Sequence, residues 1–154
     1  VPRRLARTLI KSPYAIRIDT DIEAVVEGCA ASRSGRHSTW INDRIRALYR
    51  DLFDLGHCHT VEVWDGDALV GGLYGVALNG AFFGESMFSI VRDASKIALV
   101  PLAERLAHGG FGRVDTQFVT DHLRQFGSVA LNRDYFHRPL ESALNMEADV
   151  LSLQ

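Results

Sequence analysis

The sequence of 154 residues lacks most of the features that mark specialised protein classes. Its two cysteines, Cys29 and Cys58, are too few for a disulfide framework and are not the closely spaced pairs of a zinc site. No apolar run approaches the roughly 18 uncharged residues that a membrane helix needs. The start of the chain also lacks the apolar stretch of a secretory signal. These absences exclude disulfide scaffolds and predict a soluble, cytoplasmic protein.

Common catalytic motifs are missing as well. The glycine-rich run Gly71–Gly75 is not followed by Gly-Lys-Ser/Thr, so it is not a phosphate-binding loop. We interpret its glycines as permitting close approach of a ligand or a neighbouring strand. No Gly-x-Ser-x-Gly nucleophile motif occurs. His57, Cys58 and His59 adjoin one another, but no further ligands follow at the spacing of a four-coordinate site. We therefore expect no metal and no cofactor, and we expect both cysteines to be buried.

The composition that remains is typical of one globular domain, with 47% hydrophobic and 23% charged residues. The net charge of −2 is the difference between 17 basic and 19 acidic residues. Residues 1–50 carry ten Lys or Arg and five acids, which gives +5, whereas residues 51–154 carry seven and fourteen, which gives −7. The basic third is compatible with a polyanionic partner, although solvated helix faces produce the same pattern.

Hydrophobic periodicity predicts an α+β domain built around an antiparallel meander. Thr20 to Glu23 has the form of a capping box, ahead of a helix that runs to about Ala31. The other predicted helices cover residues 1–11, 42–55, 95–108 with a kink at Pro101, and 121–126, and the tail reads as helix or coil. The predicted strands cover 14–18, 60–64, 68–78, a run from 81 to 83, 113–118 and possibly 128–131, with an Asn79-Gly80 hairpin turn.

Four polar residues interrupt the apolar strands, namely Glu85, Ser86, Asp115 and Gln117. Strand alternation places Asp115 and Gln117 on one face. Charged groups inside apolar strands are costly to bury unless they are paired or used. Two interpretations of these polar residues stay open. They either occupy solvent-facing positions of the sheet or belong to a functional site.

Several longer motifs match a known family in both their residues and their order along the chain. They are TWI at 39–41, HTVEVWDGDALVGGLYGVALNGAFFGESMFS at 59–89, ASK at 94–96, HGGFGRVDTQF at 108–118 and DH…FG within 121–127. Over about residues 1–136 the chain resembles the bacterial leucyl/phenylalanyl-tRNA protein transferases. The resemblance implies a fold similar to the acetyltransferase (GNAT-like) fold without acetyl-CoA, with a mainly antiparallel or mixed sheet flanked by helices. It also implies transfer of Leu, Phe or Met from aminoacyl-tRNA to the N-terminal Arg or Lys of proteins, which marks them for degradation.

The resemblance further implies roles for individual residues. Asp115 and Gln117 match the catalytic pair, in which Gln117 contacts the attacking amine and Asp115 orients Gln117. Glu85 matches an acid at the mouth of the aminoacyl pocket, and Trp40 matches a tryptophan that stacks on the terminal adenosine of tRNA. The implied lining of the pocket for the donor side chain is Leu73, Phe82, Met87, Leu99, Leu102, Leu106 and Val114. The implied phosphate contacts form a basic arm within residues 1–12, namely Arg3, Arg4, Arg7 and Lys11.

Two alternative functions stay open at this point. A CoA-dependent acyltransferase needs a glycine-containing loop for the pyrophosphate, whereas the FFGESMFS strand is followed by IVRDASK. A noncatalytic tRNA- or degron-binding domain is the other alternative. It arises because family members usually carry an N-terminal domain that this sequence lacks before Val1. Pro101 and Asn132 also depart from the family pattern. We treat residues 1–154 as one catalytic domain, expected to act as a monomer away from membranes.

Overall fold

The computed structural model describes residues 13–31, 39–117, 121–124 and 127–152. The strands are β1 (Ala15–Ile18), β2 (Cys58–Asp65), β3 (Ala68–Leu78), β4 (Ala81–Ser89) and β5 (Arg113–Asp115). The helices are α1 (Ile22–Ala30), α2 (Asp43–Asp54), α3 (Ala94–His108), α4 (Asp121–Arg124) and α5 (Arg133–Leu144). The predicted N-terminal helix, the basic arm within it and the loop at 32–38 lie outside the described residues.

The strands form one five-stranded sheet in the order β1-β2-β3-β4-β5. The first four strands pair antiparallel, and β5 pairs parallel with β4. The β3–β4 hairpin turns at Asn79, whose φ of 48° is the left-handed conformation that Asn and Gly tolerate. The prediction of an α+β domain with a mixed sheet around an antiparallel meander is therefore confirmed. No helix among the described residues is long and apolar enough to cross a membrane.

Strand alternation divides the apolar residues of the sheet between two cores. Val61, Val63 and Leu73 pack with α3 in the first core. Cys58 and Tyr74 pack with α1 in the second core, against which the apolar residues of α2 also pack. Adjacent strand residues point to opposite faces, which is why Leu73 and Tyr74 belong to different cores. Helices thus cover both faces of the sheet, and both cysteines are buried as predicted.

The glycines of β3 allow the close packing that the sequence suggested. A Cβ at Gly71 would lie 2.3 Å from the Cβ of Ala94 at the start of α3, and one at Gly75 would lie 2.5 Å from the ring of Phe82. Neither distance is sterically allowed for a real side chain. The absence of side chains at Gly71 and Gly75 therefore lets α3 pack against β3 and lets the Phe82 ring of β4 lie close to Gly75. The groups that approach these glycines belong to the protein itself.

The predicted capping box at the start of α1 is wrong. The N-cap is Asp21, whose carboxylate accepts from the backbone N–H of Ala24 at 2.9 Å. The Thr20 hydroxyl instead donates to the carboxylate of Glu62, and the Thr20 backbone N–H donates to the same group at 2.9 Å. Glu23 forms an ion pair with Arg50 on α2 rather than returning to the cap.

Glu62 is fully buried on β2 and organises the junction between β1 and α1. Its carboxylate also accepts from the Asp21 backbone N–H at 2.8 Å, the Thr60 hydroxyl at 2.7 Å and the Trp64 indole N–H at 3.0 Å. Burial raises the pKa of Glu62, but the hydrogen bonds from these groups and Thr20 outweigh burial and place the pKa below its usual value. The buried residue is therefore a hydrogen-bonded carboxylate.

Two further predictions differ from the structure in the C-terminal third, and one that the sequence leaves open is decided. The predicted strand at 113–118 ends at Asp115, and residues 128–131 form no strand. Residues 133–144 form α5, where the sequence left helix or coil open. In contrast, α2 begins at the predicted N-cap Asn42, whose side chain accepts from the Ile45 backbone N–H at 3.0 Å. Helix α3 ends at His108 as predicted and includes Pro101.

Candidate active site

A β-bulge places Glu85 in β4. Tyr74 of β3 pairs with Ser86, and the next residue of β3, Gly75, pairs with Gly84. Glu85 is therefore the extra residue without a partner opposite it on β3. A bulge of this kind bends the strand and turns a side chain away from the position that simple alternation gives. Alternation along β4 consequently does not determine where the Glu85 carboxylate points.

The pairing of β4 with β5 ends close to this bulge. The last paired residues are Phe83 and Asp115, whereas β4 continues to Ser89. Beyond this pair the two parallel strands no longer form a ladder, and Glu85 follows on one strand while Gln117 follows on the other. The Gln117 Nε2 donates to Glu85 Oε2 at 3.1 Å and so bridges the two strands just past the end of their ladder.

Gln117 is held at both its backbone and its side chain. Its φ of 60° is left-handed, which breaks the strand alternation expected for Asp115 and Gln117. Its backbone N–H donates to Asp115 Oδ1 at 2.8 Å. Asp115 therefore fixes the backbone turn at Gln117 and not the side-chain amide of Gln117. A carboxylate only accepts, and the group that faces Glu85 must therefore be the amide NH2. This orientation leaves the amide oxygen of Gln117 available as an acceptor.

Tyr49 of α2 is the member of this site that the sequence did not identify. Its hydroxyl donates to Glu85 Oε2 at 2.7 Å. Burial is the main cause that raises the pKa of Tyr49, and the hydrogen bond to Glu85 and its negative charge add to it. Tyr49 therefore keeps its proton at neutral pH and acts as a donor. In the sequence, Tyr49 recurs with Ile45 and Leu52 at the 3.6-residue period of α2, a pattern that indicates only core packing.

Three aromatic rings connect this carboxylate to the protein surface. Trp40 is 52% exposed and meets Tyr49 edge to face, with ring centroids 6.4 Å apart. Tyr49 meets Tyr74 in the same manner at 4.8 Å. Because Tyr74 is completely buried, the row runs from an exposed indole to the core. An exposed tryptophan ring is a surface on which an unpaired base can stack.

A cavity of about 860 Å³ lies between α3, β5 and the segment that follows α4. Asp115 and Gln117 line it. Four of the predicted pocket residues also line it, namely Leu99, Leu102, Leu106 and Val114. The other three, Leu73, Phe82 and Met87, are not in its lining. Leu73 and Phe82 are buried in the adjoining core, with Met87 packed against it. The lining also includes residues that the sequence did not single out, among them Leu123, Val129, Leu131 and Phe136.

Comparison with known proteins identifies the family. A family model described as leucyl/phenylalanyl-tRNA protein transferase matches residues 1–141. The chain belongs to this family. It is 56% identical over 149 residues to the leucyl/phenylalanyl-tRNA protein transferase of Nitrobacter winogradskyi, with 97% of this chain and 66% of the relative covered. It is also 56% identical to that of Afipia carboxidovorans (99% and 67%) and 58% identical to that of Phenylobacterium zucineum (99% and 69%). The chain thus spans about two thirds of the length of these relatives.

His59 and Cys58 are two further polar groups of this family member, and Cys58 lies near enough to Glu85 for that charge to raise the pKa of its thiol. His59 Nδ1 lies 2.7 Å from Asp19 Oδ2 and is nearly buried, and the described residues contain no cluster of three possible metal ligands. Burial raises the pKa of the Cys58 thiol to about 12, so Cys58 is no nucleophile at neutral pH. A second cavity, between α1 and α2, is bridged by the ion pair of Arg46 with Glu27 and contains none of the predicted site residues.

Proposed function

We propose that this chain transfers Leu, Phe or Met from aminoacyl-tRNA to the N-terminal Arg or Lys of acceptor proteins. The observation that carries the proposal is the Glu85–Gln117 hydrogen bond beside a cavity that has an apolar wall on α3. The curated relatives are named as leucyl/phenylalanyl-tRNA protein transferases and support the same reaction. We further propose that the α+β domain is GNAT-like, that residues 1–154 act as one catalytic domain, and that it works as a cytoplasmic monomer.

The reaction is acyl transfer from an ester to an amine. The α-nitrogen of the acceptor attacks the carbonyl carbon, the new C–N bond forms, and the C–O bond to the terminal ribose breaks. The nitrogen loses a proton, and the departing ribose oxygen gains one. Because no covalent enzyme intermediate is required, the main task of the protein is to hold amine and ester together in the right orientation.

Gln117 is the residue that we assign to the amine. Its NH2 is bound to Glu85, so its amide oxygen is directed to accept an N–H of the incoming amine. A neutral amide is a poor base, and Gln117 therefore positions the amine rather than deprotonating it. Asp115 acts as a positioning residue through the Gln117 backbone, and the carboxylates of Asp115 and Glu85 favour a cationic N-terminus.

The donor side chain is proposed to enter the cavity beside α3. Leu99, Leu102, Leu106 and Val114 supply an apolar wall for Leu, Phe or Met, and the ester carbon then lies near Gln117. Trp40 is proposed to stack on the terminal adenosine. The pocket discriminates by shape, with selectivity of about 1–3 kcal/mol per methylene.

A CoA-dependent reaction is not favoured by the β4–α3 connection. Asp93 is the N-cap of α3 and forms an ion pair with Lys96 at 2.6 Å. The connection at residues 90–93 contains no glycine, whereas the pyrophosphate of CoA needs a glycine-containing loop whose backbone N–H groups face it.

The direct test is transfer of labelled Leu from leucyl-tRNA to a peptide that begins with Arg. A peptide that begins with Ala serves as the control acceptor. Asp115→Ala and Gln117→Ala are each expected to reduce transfer strongly while the chain still binds leucyl-tRNA. A wild-type chain that binds leucyl-tRNA but transfers no Leu would refute the catalytic function and favour a noncatalytic tRNA-binding domain.

The basic arm at residues 1–12 is proposed to contact phosphates of the tRNA acceptor stem. Replacing its four basic residues (Arg3, Arg4, Arg7 and Lys11) with Gln is expected to weaken tRNA binding. The slope of log K against log salt should become shallower by up to about 3, because each phosphate contact contributes roughly 0.7 to 0.9. A slope that does not change would contradict phosphate contacts by the arm.

A further inference from the structure

Arg113 of β5 is a charged residue in the lining of the candidate active-site cavity. Its guanidinium carbon lies 4.5 Å from the centroid of the Phe136 ring on α5, a cation–π contact that restrains the side chain. The Arg113 Nε is buried without a hydrogen-bond partner among the described residues, and none of their ion pairs includes Arg113. Buried polar groups of native proteins normally have partners, so this guanidinium calls for an anion from outside the described fold.

The cavity beside Arg113 follows the free edge of β5. This strand is the last of the sheet and pairs only with β4 among the described strands. The consecutive residues 112–117 all line the cavity, although side chains alternate in direction along a strand. A strand edge offers backbone N–H and C=O groups to which an extended peptide can bind. The cavity therefore suits a peptide segment that runs along β5 from Gln117.

The charges on β5 have a spacing that an extended peptide can match. Strand alternation places Arg113 and Asp115 on the same face, two residues and thus about 7 Å apart. Residues 1 and 3 of an extended peptide also share one side at this spacing. An acceptor whose amine lies at Gln117 thus brings its first side chain to Asp115 and its third to Arg113. The first is the cation of the acceptor, and the third is the position at which an anion would meet the guanidinium.

The tRNA is connected with the opposite end of β5. Trp40, on which the terminal adenosine is proposed to stack, contacts Tyr49, and Tyr49 donates to Glu85. Glu85 meets Gln117 past the end of β5, whereas Arg113 is the first residue of this strand and pairs with Ala81 at the start of β4. The position of Arg113 therefore favours the acceptor, rather than a phosphate of the terminal nucleotide, as the source of the anion.

We propose that Arg113 is a specificity-determining residue that binds a carboxylate on the third residue of the acceptor protein. The preferred acceptor then has Arg or Lys at position 1 and Asp or Glu at position 3, complementary to Asp115 and Arg113. Because Arg113 is only half-buried, solvent weakens the pair, and we expect a preference of about threefold. The inference rests on the proposed function, since it takes the acceptor amine to lie at Gln117.

The test measures transfer of labelled Leu from leucyl-tRNA to four peptides of otherwise identical sequence. They begin with Arg-Ala-Asp, Arg-Ala-Asn, Arg-Asp-Ala and Arg-Asn-Ala. The kcat/KM for the first is expected to exceed that for the second about threefold, and added salt should reduce this ratio. The other two peptides are the control, because a side chain at position 2 points away from Arg113 and should give a ratio of about one. A preference for Asp at position 2 alone would overturn the proposal.

Two variants of the protein identify the residue responsible. Arg113→Gln removes the charge, and its ratio for Arg-Ala-Asp over Arg-Ala-Asn should fall to about one. Arg138→Gln removes an exposed arginine of α5, two residues after Phe136, and should keep the wild-type ratio. Both peptides are compared on the same protein, so a smaller folded fraction of a variant cancels from the ratio. A wild-type ratio that persists in Arg113→Gln would overturn the proposal, and weaker binding of leucyl-tRNA by that variant would then identify a phosphate as the anion.

The remaining outcomes separate this inference from the proposed function. A wild-type chain that transfers Leu to none of the four peptides contradicts the proposed function and this inference with it. A wild-type chain that transfers Leu to all four peptides equally well supports the proposed function and contradicts this inference alone.

Discussion

Glu85→Gln tests the central contact of the candidate active site. The carboxylate accepts from Tyr49 and Gln117 at one oxygen, and glutamine has the same shape without the charge. A hydrogen bond to a charged group contributes about 1.5–3 kcal/mol and a neutral one about 0.5–1.5, so the change costs about 1 kcal/mol per bond. Partial exposure of Glu85 reduces the sum over two bonds to about 1–2 kcal/mol.

This loss should appear in catalysis more than in folding. If Glu85 fixes the amide of Gln117, then kcat/KM for Leu transfer to an Arg peptide falls about 5- to 30-fold, since each 1.36 kcal/mol is a factor of ten. The Tm should fall by only a few degrees. Glu104→Gln, at an exposed glutamate of α3, is the matched control and should keep full activity. A Glu85→Gln variant within twofold of wild type would refute the view that the carboxylate holds Gln117.

Three other substitutions have defined expectations. Glu62→Gln should destabilise the chain by about 3 kcal/mol in urea unfolding at pH 7, because one carboxylate oxygen becomes a donor that faces other donors. The folded-state pKa of Glu62 lies below its usual 4.5. The difference in unfolding free energy between the variant and the wild type should therefore be complete above about pH 4.5 and disappear as the pH falls through the folded-state pKa. A difference that does not depend on pH would contradict this. Gly75→Ala should lower stability by about 1–3 kcal/mol through contact with the Phe82 ring, whereas Gly84→Ala, with its nearest contact at 3.5 Å, should cost less. Trp40→Ala should weaken binding of an aminoacyl-adenosine, phenylalanine in amide linkage to 3′-amino-3′-deoxyadenosine, by about 1–3 kcal/mol without lowering Tm. Equal affinity in the variant would exclude stacking of the base on Trp40.

The elements that the sequence predicted well are those encoded by local signals. The Asn79-Gly80 turn and the alternation around Val61 and Val63 located the meander, because hairpin chemistry and a two-residue period act over a few neighbouring residues. Helix α2 followed from the side chain of Asn42 and the 3.6-residue period. The sequence predicts a mainly antiparallel or mixed sheet but not which strand β5 pairs with, since that pairing depends on contacts between residues distant in sequence.

The predictions that failed did so where a distant group replaced a local one. The capping box at Thr20 is locally consistent, but Glu62 lies 42 residues away and takes both Thr20 donors. Tyr49 fits the apolar stripe of α2, and nothing in that stripe shows that its hydroxyl meets Glu85, 36 residues later in the chain. Hydrogen bonds between distant residues leave no periodic pattern, and spacing within one element cannot reveal them.

The same argument explains how Asp115 and Gln117 come to lie together at the candidate site. Strand alternation would have placed both on one face of a strand, where each acts from its own position. The chain instead leaves the strand after Asp115 and turns left-handed at Gln117, with the carboxylate of the first holding the backbone of the second. The bulge at Glu85 is a matching departure on β4, at the level where the β4–β5 ladder stops. Two irregularities on neighbouring strands thus bring together an amide and a carboxylate that regular strands would keep apart, and regular periodicity is the wrong guide at the residues where chemistry is proposed.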